Sequence, residues 1–313
     1  MIFSIITPSY NQLEWLRLCV SSIRDQVVSA PSVLDSGLST LSIEHIIQDA
    51  GTPGIKELAN EFGAEFFQDG NLQNFKSTED TRKSYTLKVF SEQDGGMYDA
   101  VNRGFKRCSG DIVCYLNCDE QLLEGAVQNV YDFFRKNPNC EILSAGCLIV
   151  NSQGDLETIR PGLVPSLGHI LTDHLPTLTA SLFYRKEVIK NKWNLFDSRY
   201  KDLADMLWMI DRLAEKRHFK RASFYTSAFA DTGENMNLMP NARAEANYLQ
   251  SKIPSYLKRL KFIYVIRHRL TKFLAGCYAP CTIKYSIYTK SSPNARAKFE
   301  KHGRFGVWRS RLS

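Results

Sequence analysis

Two hydrophobic periods alternate along the first 120 residues. Phe3 to Thr7 is a short apolar run that stops at Pro8, the pattern of a buried strand, with Ser9, Tyr10 and Asn11 as the loop behind it. Leu13, Leu16, Val20 and Ile23 then recur at helical spacing and predict an amphipathic helix over 12–26. Residues 27–40 are Ser-rich and loop-like. Ile43 to Gln48 reads as a second strand, ending on Asp49-Ala50-Gly51-Thr52-Pro53-Gly54, and Ile55 to Phe62 as a second helix. Phe66-Phe67 suggests a short strand, and 68–84 a polar surface insertion. Leu87 to Phe90 leads as a strand into the segment from Ser91 to Glu120. There Tyr98, Val101 and Phe105 mark a helix closed by Ser109-Gly110. Ile112, Val113, Tyr115 and Leu116 make a strand with no charge inside it, ending on Asn117-Cys118-Asp119-Glu120.

The second half continues with a helix over 122–136 that stops before Asn137-Pro138, and a strand from Ile142 to Val150. Residues 160–176 are rich in Pro and Gly. A strand over Leu178 to Tyr184, a short helix over 186–192 and a longer one over 202–216 follow. Phe219 to Phe229 reads as the closing strand, 230–240 as a loop, and the chain from Ala242 onward as helical. Strands alternating with helices predict an α/β fold, an αβα sandwich around a mostly parallel sheet. The expected organisation is a domain over 1–235, with halves at 1–120 and 121–235, and an extension over 236–313.

Charge separates that extension from the rest. The net charge of +7 combines 25 Lys and Arg against 32 Asp and Glu in residues 1–250 with 15 against Glu300 alone in 251–313. The basic residues of the tail are interleaved with aromatics such as Tyr256, Phe262, Phe273 and Trp308. That pattern fits a helical extension lying on an anionic membrane surface better than a nucleic-acid binder. The N-terminus lacks the basic start of a signal peptide, and no window reaches the roughly 18 apolar residues of a membrane span. The eight cysteines contain no Cys-x-x-Cys pair. They read as buried free thiols in a reducing compartment and argue against zinc. The expected location is the cytoplasm, with peripheral contact at the inner face of the cytoplasmic membrane. The six histidines show no metal-ligand spacing.

Each predicted strand of the first half ends on polar residues: Thr7 and Ser9, then Asp49, then Glu92 and Asp94, then Asp119. In open α/β sheets ligands bind beyond the carboxyl ends of the strands, so these groups would gather along one edge. Asp119 and Glu120 are adjacent hard oxygen ligands, suited to Mg²⁺ or Mn²⁺ with a phosphate on the same ion. Taken alone, the pair serves as well to begin the next helix, and Asp49 as well to form a turn before Gly51.

The blocks IITPSYN and HIIQDAGTPG, and above all SEQDGGMYDAVNRGFKRCSGDIVCYLNCDE, resemble family 2 glycosyltransferases of the GT-A fold. The likeness is to bacterial enzymes that build exopolysaccharide and lipopolysaccharide sugars, and it covers about residues 1–235. It implies transfer of a sugar from a nucleotide-diphosphate donor, UDP-linked, to a saccharide or lipid-linked acceptor by a metal-assisted, inverting single displacement. Thr7, Ser9, Tyr10 and Asp49 match the family's positions for base and ribose. Glu92 and Asp94 match its acidic donor-site residues, with Asn102 on the helix behind them. Asn117, Asp119 and Glu120 match the metal motif, with Asn and Glu standing where Asp is usual. Ala204-Asp205 matches the first half of the segment that carries the catalytic base, which assigns that role to Asp205, with Asp202 and Asp211 as alternatives. Asp173-His174 reads as plain loop or as acceptor-site lining. The rival reading is a non-catalytic nucleotide- or sugar-binding protein on a degraded fold of this type.

Overall fold

The computed structural model describes residues 1–27, 41–74, 84–189, 195–231 and 240–306. Most of the loop expected at 27–40, residues 75–83 of the expected insertion, the end of the helix expected at 186–192, most of the 230–240 loop and Trp308 lie outside the described residues.

The first half alternates as its periodicity predicts. It runs β1 (Ile2–Ser9), α1 (Leu13–Arg24), β2 (Ser42–Asp49), α2 (Ile55–Glu61), β3 (Glu65–Gln68), β4 (Asn71–Asn74), β5 (Tyr85–Ser91), α3 (Met97–Arg107) and β6 (Ile112–Tyr115). β1 and β2 are buried at every position after their first residue, which is why they read as unbroken apolar runs: helices cover both faces of a parallel sheet. On one face, Phe3 and Ile5 of β1 meet Cys19 and Ile23 of α1. On the other, Ile6 meets Tyr98, Val101 and Phe105 of α3. α3 approaches closely at Gly104, where an added Cβ would stand 2.4 Å from the Ile6 side chain.

The second half contains β7 (Glu120–Leu122), α4 (Ala126–Lys136), β8 (Ile142–Asn151), β9 (Leu156–Arg160), α5 (Leu167–Thr172), β10 (Leu182–Arg185), α6 (Lys186–Ile189), α7 (Ala204–Ala214) and β11 (Phe219–Asp231). The helix expected from 122 begins four residues later. Glu120 to Leu122 pair antiparallel with β11 instead, and Gly125, at φ +71°, turns the chain into α4. Among the described residues the main sheet has eleven strands in the order β4-β3-β5-β2-β1-β6-β10-β8-β11-β7, with β9 on β8. The run β3-β5-β2-β1-β6 is parallel throughout. The Pro- and Gly-rich stretch over 160–176 begins at the last residue of β9 and holds α5.

The extension begins helical, as expected, with α8 (Pro240–Ser251), α9 (Ser255–Arg259) and α10 (Lys261–Leu274). It then departs from expectation. β12 (Cys281–Thr289) and β13 (Ser292–Gly303) form an antiparallel hairpin packed against α1 and β7. The Arg296 guanidinium reaches Asp25 at 2.5 and 2.8 Å and donates to the carbonyls of Ser22, Leu122 and Ser286. Tyr288 adds a hydrogen bond to Asp25 and exchanges two with the Gln121 side chain. Part of the tail's positive charge is therefore spent inside the molecule.

Candidate active site

A cleft of about 1330 Å³ opens beyond the carboxyl ends of the parallel strands. One wall carries Ser9 and Tyr10 after β1, Ala50 after β2, Gln93 and Asp94 after β5, and Asn117 to Glu120 after β6. The facing wall carries Asp205 and Met206 from the first turn of α7, the loop from Asp173 to Thr179, and Ala242, Arg243 and Ala246 of α8. The volume exceeds the roughly 300–1,000 Å³ of a drug-sized pocket, so there is space for two substrates together. Of the residues singled out in the sequence for the donor, metal or base, the cleft brings together Ser9, Tyr10, Asp94, Asn117, Asp119, Glu120, Asp205 and the alternative base Asp202, while Asp211 does not line it.

Those side chains leave oxygen atoms without counter-charge. The Ser9 hydroxyl and the Asn117 Oδ1 are buried with no hydrogen-bond partner among the described residues. Burial pushes both the Asp119 and the Glu120 carboxyls well up, and the Asp119 charge adds to the effect on Glu120. One Glu120 oxygen accepts the Asn117 N–H at 2.6 Å. One buried and one half-buried carboxylate, beside an amide oxygen with no hydrogen-bond partner among the described residues, form a hard donor set. Asn117, Asp119 and Glu120 therefore fit a divalent cation. Tyr10 is 65% exposed, leaving its ring face open to a ligand. Asp94 accepts the Gly96 N–H at 2.9 Å, and burial pushes its carboxyl up.

Asp205 stands on a rigid base. Tyr98, Phe105, Tyr115, Tyr184, Phe196 and Trp208 pack ring against ring beneath it, with centroids 5.2–6.5 Å apart. The Tyr98 hydroxyl donates to the Asp202 carbonyl at 3.2 Å. Glu245 of α8 accepts the free N–H groups of Lys201, Asp202 and Leu203 ahead of α7 at 2.7–3.1 Å. Burial raises the Asp205 carboxyl to about 6, against the pull of the Met206 N–H, which donates to Oδ1 at 2.8 Å. A carboxylate poised there is a competent general base near neutral pH.

Four residues expected at the ligand support the scaffold instead. Thr7 is fully buried, and its hydroxyl is hydrogen-bonded to His45 Nε2 at 2.9 Å. The Asp49 carboxylate, also fully buried, accepts the Gly51 and Thr52 N–H groups and the Thr52 hydroxyl. It therefore forms the turn, with three of its roughly four acceptor sites engaged. Glu92 turns toward Arg107 at 2.8 Å and Arg103 at 3.2 Å; burial pushes its carboxyl up, and those two cations outweigh it and leave it lowered. Asn102 uses both ends of its amide on the backbone of Phe196, at 2.7 and 2.9 Å. In each case a partner inside the fold engages the group.

The sequence reading missed the contribution of α8. Arg243 and Glu245 sit in a stretch read only as helical and basic, and no local signal points to a wall of the cleft. Asp173 and His174 do line the cleft, and Asp173 pairs with Lys261 of α10 at 2.9 Å.

Comparison with known proteins agrees with this architecture. The profile of the family described as glycosyl transferase family 2 matches residues 4–146. The chain is 20% identical to the glycosyltransferase EpsJ of Bacillus subtilis over 89% of its own length and 79% of that protein's. It is 23% identical to GgaB of the same organism, a minor teichoic acid biosynthesis protein, over 82% of this chain but only 26% of GgaB. Among solved structures, residues 1–349 of S. aureus TarS in complex with UDP superpose with a TM-score of 0.51 at 14% identity, covering 87% of this chain and 74% of that one. The same TarS segment in complex with UDP-GlcNAc also gives 0.51, at 15% identity. At such identities the likeness is one of fold, the GT-A fold.

Proposed function

Because the chain belongs to glycosyl transferase family 2 and is a nucleotide-sugar-dependent glycosyltransferase, we propose that it moves a sugar from a UDP-linked donor to a saccharide or lipid-linked acceptor in cell-surface polysaccharide synthesis. The observation that carries this reading is the pairing, across one cleft, of the Asn117-Asp119-Glu120 oxygen set with Asp205. The teichoic acid role of GgaB supports the polysaccharide assignment, and the ligands of TarS support the uridine nucleotide.

In this reading Tyr10, Ser9 and Asp94 hold the donor along the strand ends. Asn117, Asp119 and Glu120 would hold Mg²⁺ or Mn²⁺, which when bound neutralises charge on the departing diphosphate. Asp205 takes the proton of the acceptor hydroxyl as that oxygen attacks the anomeric carbon. The bond from that carbon to the diphosphate oxygen breaks on the opposite face, so the configuration inverts. The aromatic floor and Glu245 keep Asp205 in place, so little reorganisation is needed at the moment of attack.

The extension adds a location. No helix among the described residues is long and apolar enough to cross a membrane. α10, however, exposes Phe262, Ile266, Leu270, Phe273 and Leu274 on one face, beside exposed Arg259, Arg267 and Arg269. An apolar stripe with a basic rim suits peripheral attachment to an anionic leaflet, at the cytoplasmic face where nucleotide sugars are held.

The direct test is release of nucleoside diphosphate from a panel of UDP- and GDP-sugars, with and without Mn²⁺. Metal-dependent consumption of a UDP-sugar, abolished in Asp119→Asn, is expected. Consumption of no nucleotide sugar by folded protein would overturn the proposal.

A further inference from the structure

Three histidines far apart in the sequence meet at the rim of the cleft. His169 lies on α5, His174 in the loop after it and His268 on α10, and one ring nitrogen from each lies within 4.8 Å of the others. The His169 and His268 rings are parallel, with centroids 4.1 Å apart, and His174 stands edge-on to both. His169 is 1% exposed, and neither of its ring nitrogens has a hydrogen-bond partner among the described residues. A buried imidazole with both nitrogens unsatisfied is costly unless something else engages it.

The surroundings are those of a ligand set. Asp173 Oδ2 accepts from His174 Nδ1 at 2.7 Å, which fixes the tautomer and leaves the Nε2 lone pair free. Lys261 holds the other Asp173 oxygen at 2.9 Å. Burial, reinforced by the neighbouring cations and rings, pushes His169 and His268 down to about 4. Both are therefore neutral at pH 7, the form that binds metal.

We propose that His169, His174 and His268 bind a divalent cation of the zinc type, joining α10 of the extension to α5 at the cleft rim. Around tetrahedral zinc, imidazole nitrogens stand about 2.0–2.1 Å from the ion and so about 3.4 Å from one another. Closing the set to that spacing requires rotation of the exposed His174 and the half-buried His268. Three imidazoles with a carboxylate behind one of them select zinc, cobalt or nickel over the hard cations that suit Asp119 and Glu120. The fourth position is left for water. Such a cation fixes the loop from Asp173 to Thr179, which forms part of the cleft wall, and holds the apolar face of α10 in one orientation.

The test uses the full chain without a histidine tag, carrying Asp119→Asn so that the carboxylate site cannot contribute. Titration with Co²⁺, followed by visible absorption, is expected to saturate at one equivalent with the spectrum of a tetrahedral nitrogen-ligated ion. Zn²⁺ should displace the Co²⁺ and raise the thermal midpoint by several degrees. Both responses should be lost in His174→Gln and in His268→Gln. Each of those positions is at least partly exposed, so the result does not depend on replacing the buried His169. Absence of stoichiometric binding, or binding unchanged in both variants, would overturn the proposal.

Discussion

At the scale of single residues, Asp205 and His45 make opposite use of burial. Burial lifts the Asp205 carboxyl to about 6, so the group is ionised, and able to accept a proton, only above that pH. The proposed base role therefore predicts that kcat/KM falls about tenfold per pH unit below pH 6. Asp205→Asn should lower kcat by about 10²–10⁴ with donor affinity unchanged; an equal loss of donor affinity would instead assign the residue to binding. His45 is held neutral between Thr7 and Tyr85, and burial takes it down to about 3. Its folded-state value lies below its unfolded one, so the unfolded chain binds the proton more readily and stability falls as pH drops from about 6.5 toward 3. Urea midpoints measured across that range should decline, and less steeply in His45→Gln; equal slopes would contradict the assignment. His45 also shows why Thr7 and Asp49 could not be assigned from sequence. Both are polar residues at strand ends, and only the partner across the sheet or the turn decides whether the oxygen is spent.

At the scale of elements, apolar period carried most of the first half. β1, β2, α1 and α3 fall within a residue or two of their expected bounds, because each buries one continuous face or both. The C-terminal hairpin was missed although its signal was present. Ile283, Tyr285 and Ile287 alternate with polar residues at strand spacing, and Tyr285 stacks on Phe299 across the pair at 5.0 Å. The basic charge of the tail suggested helix and hid the alternation. Docking of that hairpin rests heavily on Arg296, whose five N–H groups are matched by carboxylate and carbonyl oxygens. Arg296→Ala should cost about 3 kcal/mol, as expected on breaking a mostly buried charge pair; a urea midpoint equal to that of the parent would contradict it. For α10, co-sedimentation with anionic vesicles and none with neutral ones is the expected result. It should be weakened by replacing Phe262 and Phe273 with Ser. Concentration-dependent self-association without vesicle binding would assign the face to a second copy of the chain instead.

At the scale of the whole molecule, the cleft is assembled from segments that the sequence keeps apart. Its strand-end wall was legible in outline, because the strand ends of an α/β sheet converge wherever the helices fall, although Thr7, Asp49, Glu92 and Asn102 do not line it. Its other wall was not. α7, the 173–179 loop and α8 are brought together by long-range packing, and Glu245 reaches back over 40 residues to hold the start of α7. The three histidines show no metal-ligand spacing in the sequence for the same reason, since 94 residues separate His174 from His268. The central claim is that Asn117, Asp119 and Glu120 hold a divalent cation that helps bind a nucleotide diphosphate. The most direct test is the thermal midpoint of the full chain with UDP, measured with Mn²⁺ and again with EDTA, for the parent and for Asp119→Asn. The account predicts a rise with UDP that requires Mn²⁺ and vanishes in the variant. A rise of equal size in EDTA, or one retained in Asp119→Asn, would contradict it.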